Sequence, residues 1–353
     1  MSKKARTSVI GVTGVAMLSF LVVGCGSQAP ASSNAATSAS NSTAANTAAN
    51  TASNATPAAS SSSGKEVDLI MSTFNNPFFV SLKNGAQYEA QKLGYNLVVQ
   101  NANNDISTEL NLAQTDIQKK PAALILDPVD SNGIVTAINA ASQANVPVFA
   151  FDRLPAGGKL ATFVGYDAIS AGKRAADALA KGLNDKGTVV EIQGIMGTNV
   201  AQDRSKGFEE EIAKFPNIKI VAKQPANFDR STALNVMTNI LQAHPNINGV
   251  YAANDEMAMG VLAALKAAGK EGKVVLVGND GIKDALDAIT TGTMYATNAE
   301  SPFAEGVKVA DIAGDILNGT SVPNAATLEG QLVTKANVNQ YWAYLKSIGD
   351  PND

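Results

Sequence analysis

The chain has 353 residues, 27 of them basic and 31 acidic, for a net charge of −4 with its one histidine neutral. That acidic balance argues against a nucleic-acid partner, which needs a basic face. A single cysteine, Cys25, excludes an intrachain disulfide and a thiolate metal cluster.

Lys3, Lys4 and Arg6 precede an apolar run from Val9 to Val23, then Gly24, Cys25 and Gly26. A basic start, a short apolar segment and small residues near a cleavage point make a secretory signal, too short for a comfortable membrane span. "VVGC" resembles the lipobox of bacterial lipoproteins, which implies removal of residues 1–24 and lipidation of Cys25. That removal takes three of the 27 basic residues and no acidic one, so the mature chain carries 24 against 31, a net charge of −7. From 25 to 64 the chain is almost wholly Ala, Ser, Asn and Thr, with no charge. Such a stretch has too little apolar bulk to offset the entropy of ordering it, and it reads as a disordered tether.

The remainder, about 290 residues, suffices for two cores. Short apolar runs alternate with helical segments: "VDLIM", "NLVVQ", "AALIL", "VPVFAFD", "ATFVG", "TVVEIQ", "IKIVAK", "GVYAAN", "VVLVGND" and "MYATNA". Helices end at Gly94, Gly269 and Gly292, and Pro77 stands near a helix start. The alternation predicts an α/β fold, and so many strands predict two doubly wound parallel-sheet domains. Ligands in such folds sit beyond the C-terminal ends of the strands. Those ends carry Asn76, Phe78, Phe79, Asp127, Asp152 and Arg153 in one half. Arg204, Phe228, Asn254, Asp280 and Glu300 follow in the other. Rings cover the C–H faces of a sugar, while guanidinium, amide and carboxylate groups bond its hydroxyls. Taken singly, the two phenylalanines read equally as core residues, Asp152–Arg153 as a solvated ion pair, and Asn254 and Asp280 as helix N-caps.

"STFNNPFFVSLKNGAQYEAQKLGYNLVV", "FDR", "QPANFDRSTALNVMTNILQAHP" and "NDEMAMGVLAAL" resemble the bacterial periplasmic ribose-binding protein family, from about Lys65 to about Lys335 in one register. The resemblance implies a periplasmic-binding-protein fold of type I, two lobes joined by a three-segment hinge and closing on a monosaccharide, with D-ribose the first expectation. It implies hydroxyl contacts from Asn76 and Arg153, a ring sandwich of Phe78, Phe79 and Phe228, and a polar shell of Asp152, Arg204, Asn254 and Asp280. The lobes then run 65–165 plus 301–329 and 166–300 plus 330–335, followed by a tail at 336–353. Crossings are expected near Gly165, Glu300–Ser301 and Glu329–Gly330. Three positions depart from the ribose pattern. Asp127 and Glu300 stand where the family usually has Asn and Gln, and Asn279 where an aromatic is usual. They leave another pentose, a hexose or a sugar alcohol open.

The implied partner is an ABC permease with its ATPase, with a chemoreceptor or sensor kinase as an alternative reader of the closed form. The expected protein is a monomer at the outer face of the cytoplasmic membrane, held there by lipid alone, without cofactor, metal or catalysis. An enzyme using paired carboxylates for glycoside chemistry is the rival of another class. A sugar-responsive repressor would need a DNA-binding headpiece where this chain has its signal and tether. His244 sits at an expected helix end without an assigned role.

Overall fold

The structure, a computed structural model, describes residues 66–350. The signal segment, Cys25 and the tether lie outside the described residues. The chain runs β1 (Glu66–Met71), α1 (Pro77–Leu93), β2 (Asn96–Asn101), α2 (Ile106–Lys119), β3 (Ala123–Leu126), α3 (Val135–Gln143), β4 (Val148–Phe151) and β5 (Thr162–Tyr166). It continues with α4 (Ala168–Gly182), β6 (Gly187–Gln193), α5 (Asn199–Ile212), β7 (Ile218–Pro225), α6 (Arg230–Ala243), β8 (Gly249–Ala252) and α7 (Asp255–Ala267). Then come β9 (Val275–Asp280), α8 (Lys283–Thr291), β10 (Ala296–Ala299), α9 (Pro302–Leu317), β11 (Ala326–Leu328), β12 (Gln331–Thr334) and α10 (Val338–Ile348).

Each apolar run read from the sequence overlaps a strand. The runs lack alternation because helices cover both faces of the sheets; β3, β4 and β8 are buried at every position. The strands form two six-stranded sheets, ordered β11-β5-β4-β3-β1-β2 and β12-β10-β9-β8-β6-β7. All the neighbours are parallel except β10 and β12. The α/β fold of two doubly wound sheets is therefore the one expected. Strand order reverses between β1 and β3 in the first lobe and between β6 and β8 in the second. Crevices open at the carboxyl ends of those strands.

The chain passes from the first sheet to the second between β5 and α4. It returns between β10 and α9, which packs on α1, and passes again between β11 and β12. The tail forms α10, which packs on α8 and β12 and buries Tyr341 and Leu345. Beyond it, Asp350 accepts the Ser81 hydroxyl of α1 at 3.1 and 3.3 Å, so the end of the chain touches both lobes.

Candidate ligand-binding site

The lobes meet over a polar cavity lined by Asn76, Phe78, Phe79, Asp152 and Arg153 from the first and Val200, Arg204, Phe228, Asn254 and Asp280 from the second. Asn76 caps α1: its Oδ1 accepts the Phe78 N–H at 2.9 Å, which leaves its NH2 group for the cavity. Pro77 follows, where a helix needs no N–H. The first turn then presents Phe78 and Phe79, edge to face with centroids 5.2 Å apart. Both are buried, at 3% and 4% exposure, because the lobes are closed over them.

Asp152 follows β4 with φ of 52°. The Arg153 N–H donates to the Phe151 carbonyl, closing a γ-turn around it. A non-glycine residue in that region costs about 1–3 kcal/mol and persists only where its surroundings hold it. Here the Asp152 N–H donates to Val164 O at 2.9 Å and to Glu305 Oε1 at 3.1 Å. Glu305, in the first turn of α9, is fully buried, and its other carboxyl oxygen has no hydrogen-bond partner among the described residues. Sequence reading missed it, because an acid in the first turn of a helix looks like a dipole partner.

The Arg153 guanidinium stacks between Phe79 and Phe228, 5.2 and 5.9 Å from their centroids. It donates to the Pro128 carbonyl at 3.2 Å, and its Nε lies 3.5 Å from Asp127 and 3.7 Å from Asp152. Arg204 also stands between two carboxyls, with a direct hydrogen bond to one of them. It donates to the Ala253 carbonyl at 3.0 Å and to Glu300 at 2.6 Å, and it stands 3.5 Å from Asp280. Each lobe thus clamps one arginine between two carboxyls. Asp127 and Glu300 do not line the cavity; they stand behind the guanidiniums. Burial pushes the carboxyls of Asp127, Asp152, Asp280 and Glu300 up, and the arginines oppose the rise.

Asn279 joins a buried amide chain. Arg174 donates to Asn298 at 2.7 Å, Asn298 to Asn279 at 2.9 Å, and Asn279 to Asp280 at 3.2 Å. Asn254 caps α7, accepting the Met257 N–H at 2.9 Å. Asp280 does not cap a helix, contrary to the reading of it taken singly. It ends β9 with φ of 124°, and Ile282 precedes α8. Its carboxyl is thereby free to meet Arg204.

Phe228, with φ of 57°, lays its ring on the backbone of Gly194; a Cβ there would lie 2.1 Å from the ring. Val200, in the first turn of α5, lines the cavity without any polar signal in the sequence. At the cleft mouth the lobes latch directly. Gly197 O accepts the Ser131 N–H at 3.1 Å, Ser131 Oγ accepts the Asn199 N–H at 3.0 Å, and Asn199 Oδ1 accepts the Leu154 N–H at 2.7 Å. The closed cavity leaves about 20 Å³, room for roughly one or two waters. A sugar ring needs more room than this, so the lobes must part to admit it and close on it less tightly than they do here.

Two α/β lobes, three crossings between them and a shared polar cavity with aromatic walls define a solute-binding protein. The chain belongs to the periplasmic binding protein family, whose domain description, "Periplasmic binding protein domain", matches residues 67–321. It is 41% identical over 280 residues to the ribose import binding protein RbsB of Escherichia coli K12, covering 79% of this chain and 94% of that one. It is 33% identical over 288 residues to a D-apiose import binding protein of Paraburkholderia graminis, covering 81% and 92%. An ABC transporter solute-binding protein of Actinobacillus succinogenes with bound D-allose matches with a TM-score of 0.74 and 34% identity, covering 78% of this chain and all of that one. These relatives are transport binding proteins, not enzymes, and the glycoside-processing reading is set aside. The family works in the periplasm or outside the cell.

Proposed function

We propose that the protein binds a monosaccharide between its lobes, D-ribose first, and delivers it to an ABC permease. The observation that carries this reading is the cavity itself: three phenylalanine rings and two doubly clamped arginines, contributed by both lobes. Ligand contacts that exist only in the closed form favour closure, and closure is the signal a permease reads. Asp127 and Glu300 tune the guanidiniums from behind, so their departure from the family pattern is compatible with a ribose-like ligand. Asn76, Phe78, Phe79, Asp152, Arg153, Arg204, Phe228, Asn254 and Asp280 are the proposed ligand contacts. A relative named for D-apiose and a solved structure with bound D-allose support another pentose or a hexose as the alternative.

A calorimetric and thermal-shift screen of pentoses, hexoses and polyols tests the reading. A binder raises the melting point as its concentration passes the dissociation constant. Phe228→Ala, at a half-buried ring, should abolish that rise and leave the unliganded melting point nearly intact. A full panel without any shift would refute the reading. We further infer that Cys25 carries lipid and that 25–64 tethers the body to the cytoplasmic membrane. Release of the protein into the medium by Cys25→Ser is the expected result; unchanged membrane association would refute it.

A further inference from the structure

A second cavity, of about 90 Å³, opens at the cleft mouth and shares Asn76, Phe79, Arg153 and Phe228 with the inner one. A water needs about 10–15 Å³, so this space holds several heavy atoms. Both lobes build its outer wall, with Asn75 and Asn104 on one side and Ile195 and Asn227 on the other. The side-chain amides of Asn75, Asn104 and Asn227 make no hydrogen bond among the described residues. Each can donate and accept, which suits a hydroxyl. The cations nearby are already matched. Arg230 donates to Glu256 at 2.6 and 3.1 Å and to Asp284 at 2.7 Å, and Asp229 caps α6 through the Thr232 N–H at 2.7 Å. A phosphate would find no uncompensated cation there, whereas a neutral hydroxylated group meets the three amides. Ile195 and Phe228 offer apolar surface to its C–H groups.

We propose that this cavity is an outer subsite and that the protein accepts small glycosides, with the sugar ring in the inner cavity and a hydroxylated aglycone at the mouth. The inference rests on the sugar-binding reading of the inner cavity. The test is titration calorimetry on the mature chain with D-ribose, D-allose and D-galactose, each compared with its 2,3-dihydroxypropyl glycoside. For a ring that binds, the glycoside should bind about five- to tenfold tighter than the free sugar, the worth of one or two net hydrogen bonds. The variant Asn104→Gly/Asn227→Gly should lose that gain and keep the affinity for the free sugar within about twofold. Glycine is chosen because both asparagines sit at φ of 56°, where alanine would strain the loops. Free sugars that bind as tightly as their glycosides, or a gain that survives in the variant, would overturn the outer subsite alone and leave the cavity to water. Failure of every free sugar and every glycoside would overturn the inner-site reading with it.

Discussion

Glu109 offers a perturbation whose size follows from its surroundings. It lies on α2, fully buried, and its Oε2 accepts the Val129 N–H at 3.0 Å. It thereby braces the loop whose Pro128 carbonyl holds Arg153. Its Oε1 has no hydrogen-bond partner among the described residues. Burial pushes its carboxyl from 4.5 up to about 8, against the opposing bond from Val129. The folded state therefore keeps a proton that the unfolded chain releases across that window. Stability falls as pH rises from about 4.5, and the full penalty is present above about 8. At about 1.4 kcal/mol per pH unit the ceiling is roughly 5 kcal/mol. Glutamine mimics the protonated acid: its carbonyl can take the Val129 N–H, and it never ionises. Glu109→Gln should match the wild type near pH 5 and outlast it near pH 8. At about 2 °C per kcal/mol for a body of this size, the gap should reach several degrees, with a ceiling near roughly 10 °C. Unliganded melts from pH 5 to 8.5 at constant ionic strength measure it. Glu191 and Asp255, also raised by burial, titrate in both proteins and largely cancel in the difference, whereas Asp127, whose charge acts on Glu109, contributes to the gap. Parallel melting curves, or a wild type that gains on the variant as pH rises, would refute the reasoning.

Gly194→Ala should drive the Phe228 ring off the backbone it rests on and weaken ligand binding by about tenfold or more, with an unchanged circular-dichroism spectrum; an unaltered dissociation constant by calorimetry would contradict this. Glu305→Leu should loosen the turn at Asp152 and weaken binding several-fold, while Glu305→Gln keeps an acceptor and most of the affinity; equal losses in the two variants would show that only volume matters there. Ser131→Ala/Asn199→Ala removes two of the latch bonds, about 1–2 kcal/mol of closed form. Its apparent affinity should fall about five- to thirtyfold, and its unliganded radius of gyration in X-ray scattering should grow. A radius and an affinity both equal to the wild type would mean that the latch does not set the equilibrium.

The strands were legible because their signal is local. An apolar run of five to seven residues states its own burial, and "AALIL" or "VPVFAFD" needs no distant partner to be read. The positions after the runs were legible for the same reason, since a parallel strand puts its next residues at the crevice. Only the tertiary structure decided the rest. β11 and β12 have three and four residues, too few for a period, and they exist because each finds an open sheet edge. Asp127 and Glu300 look like Asp152 and Asp280 in the chain. They differ by which side of an arginine the fold gives them, and Arg204 meets Glu300 across 96 positions of sequence. Glu305 became a brace for Asp152, 153 positions away, when α9 returned to the first lobe. Val200 became a cavity wall when the lobes closed. A sequence window carries the periodicity of one element, whereas the partner of a buried charge is fixed by the packing of elements far apart in the chain.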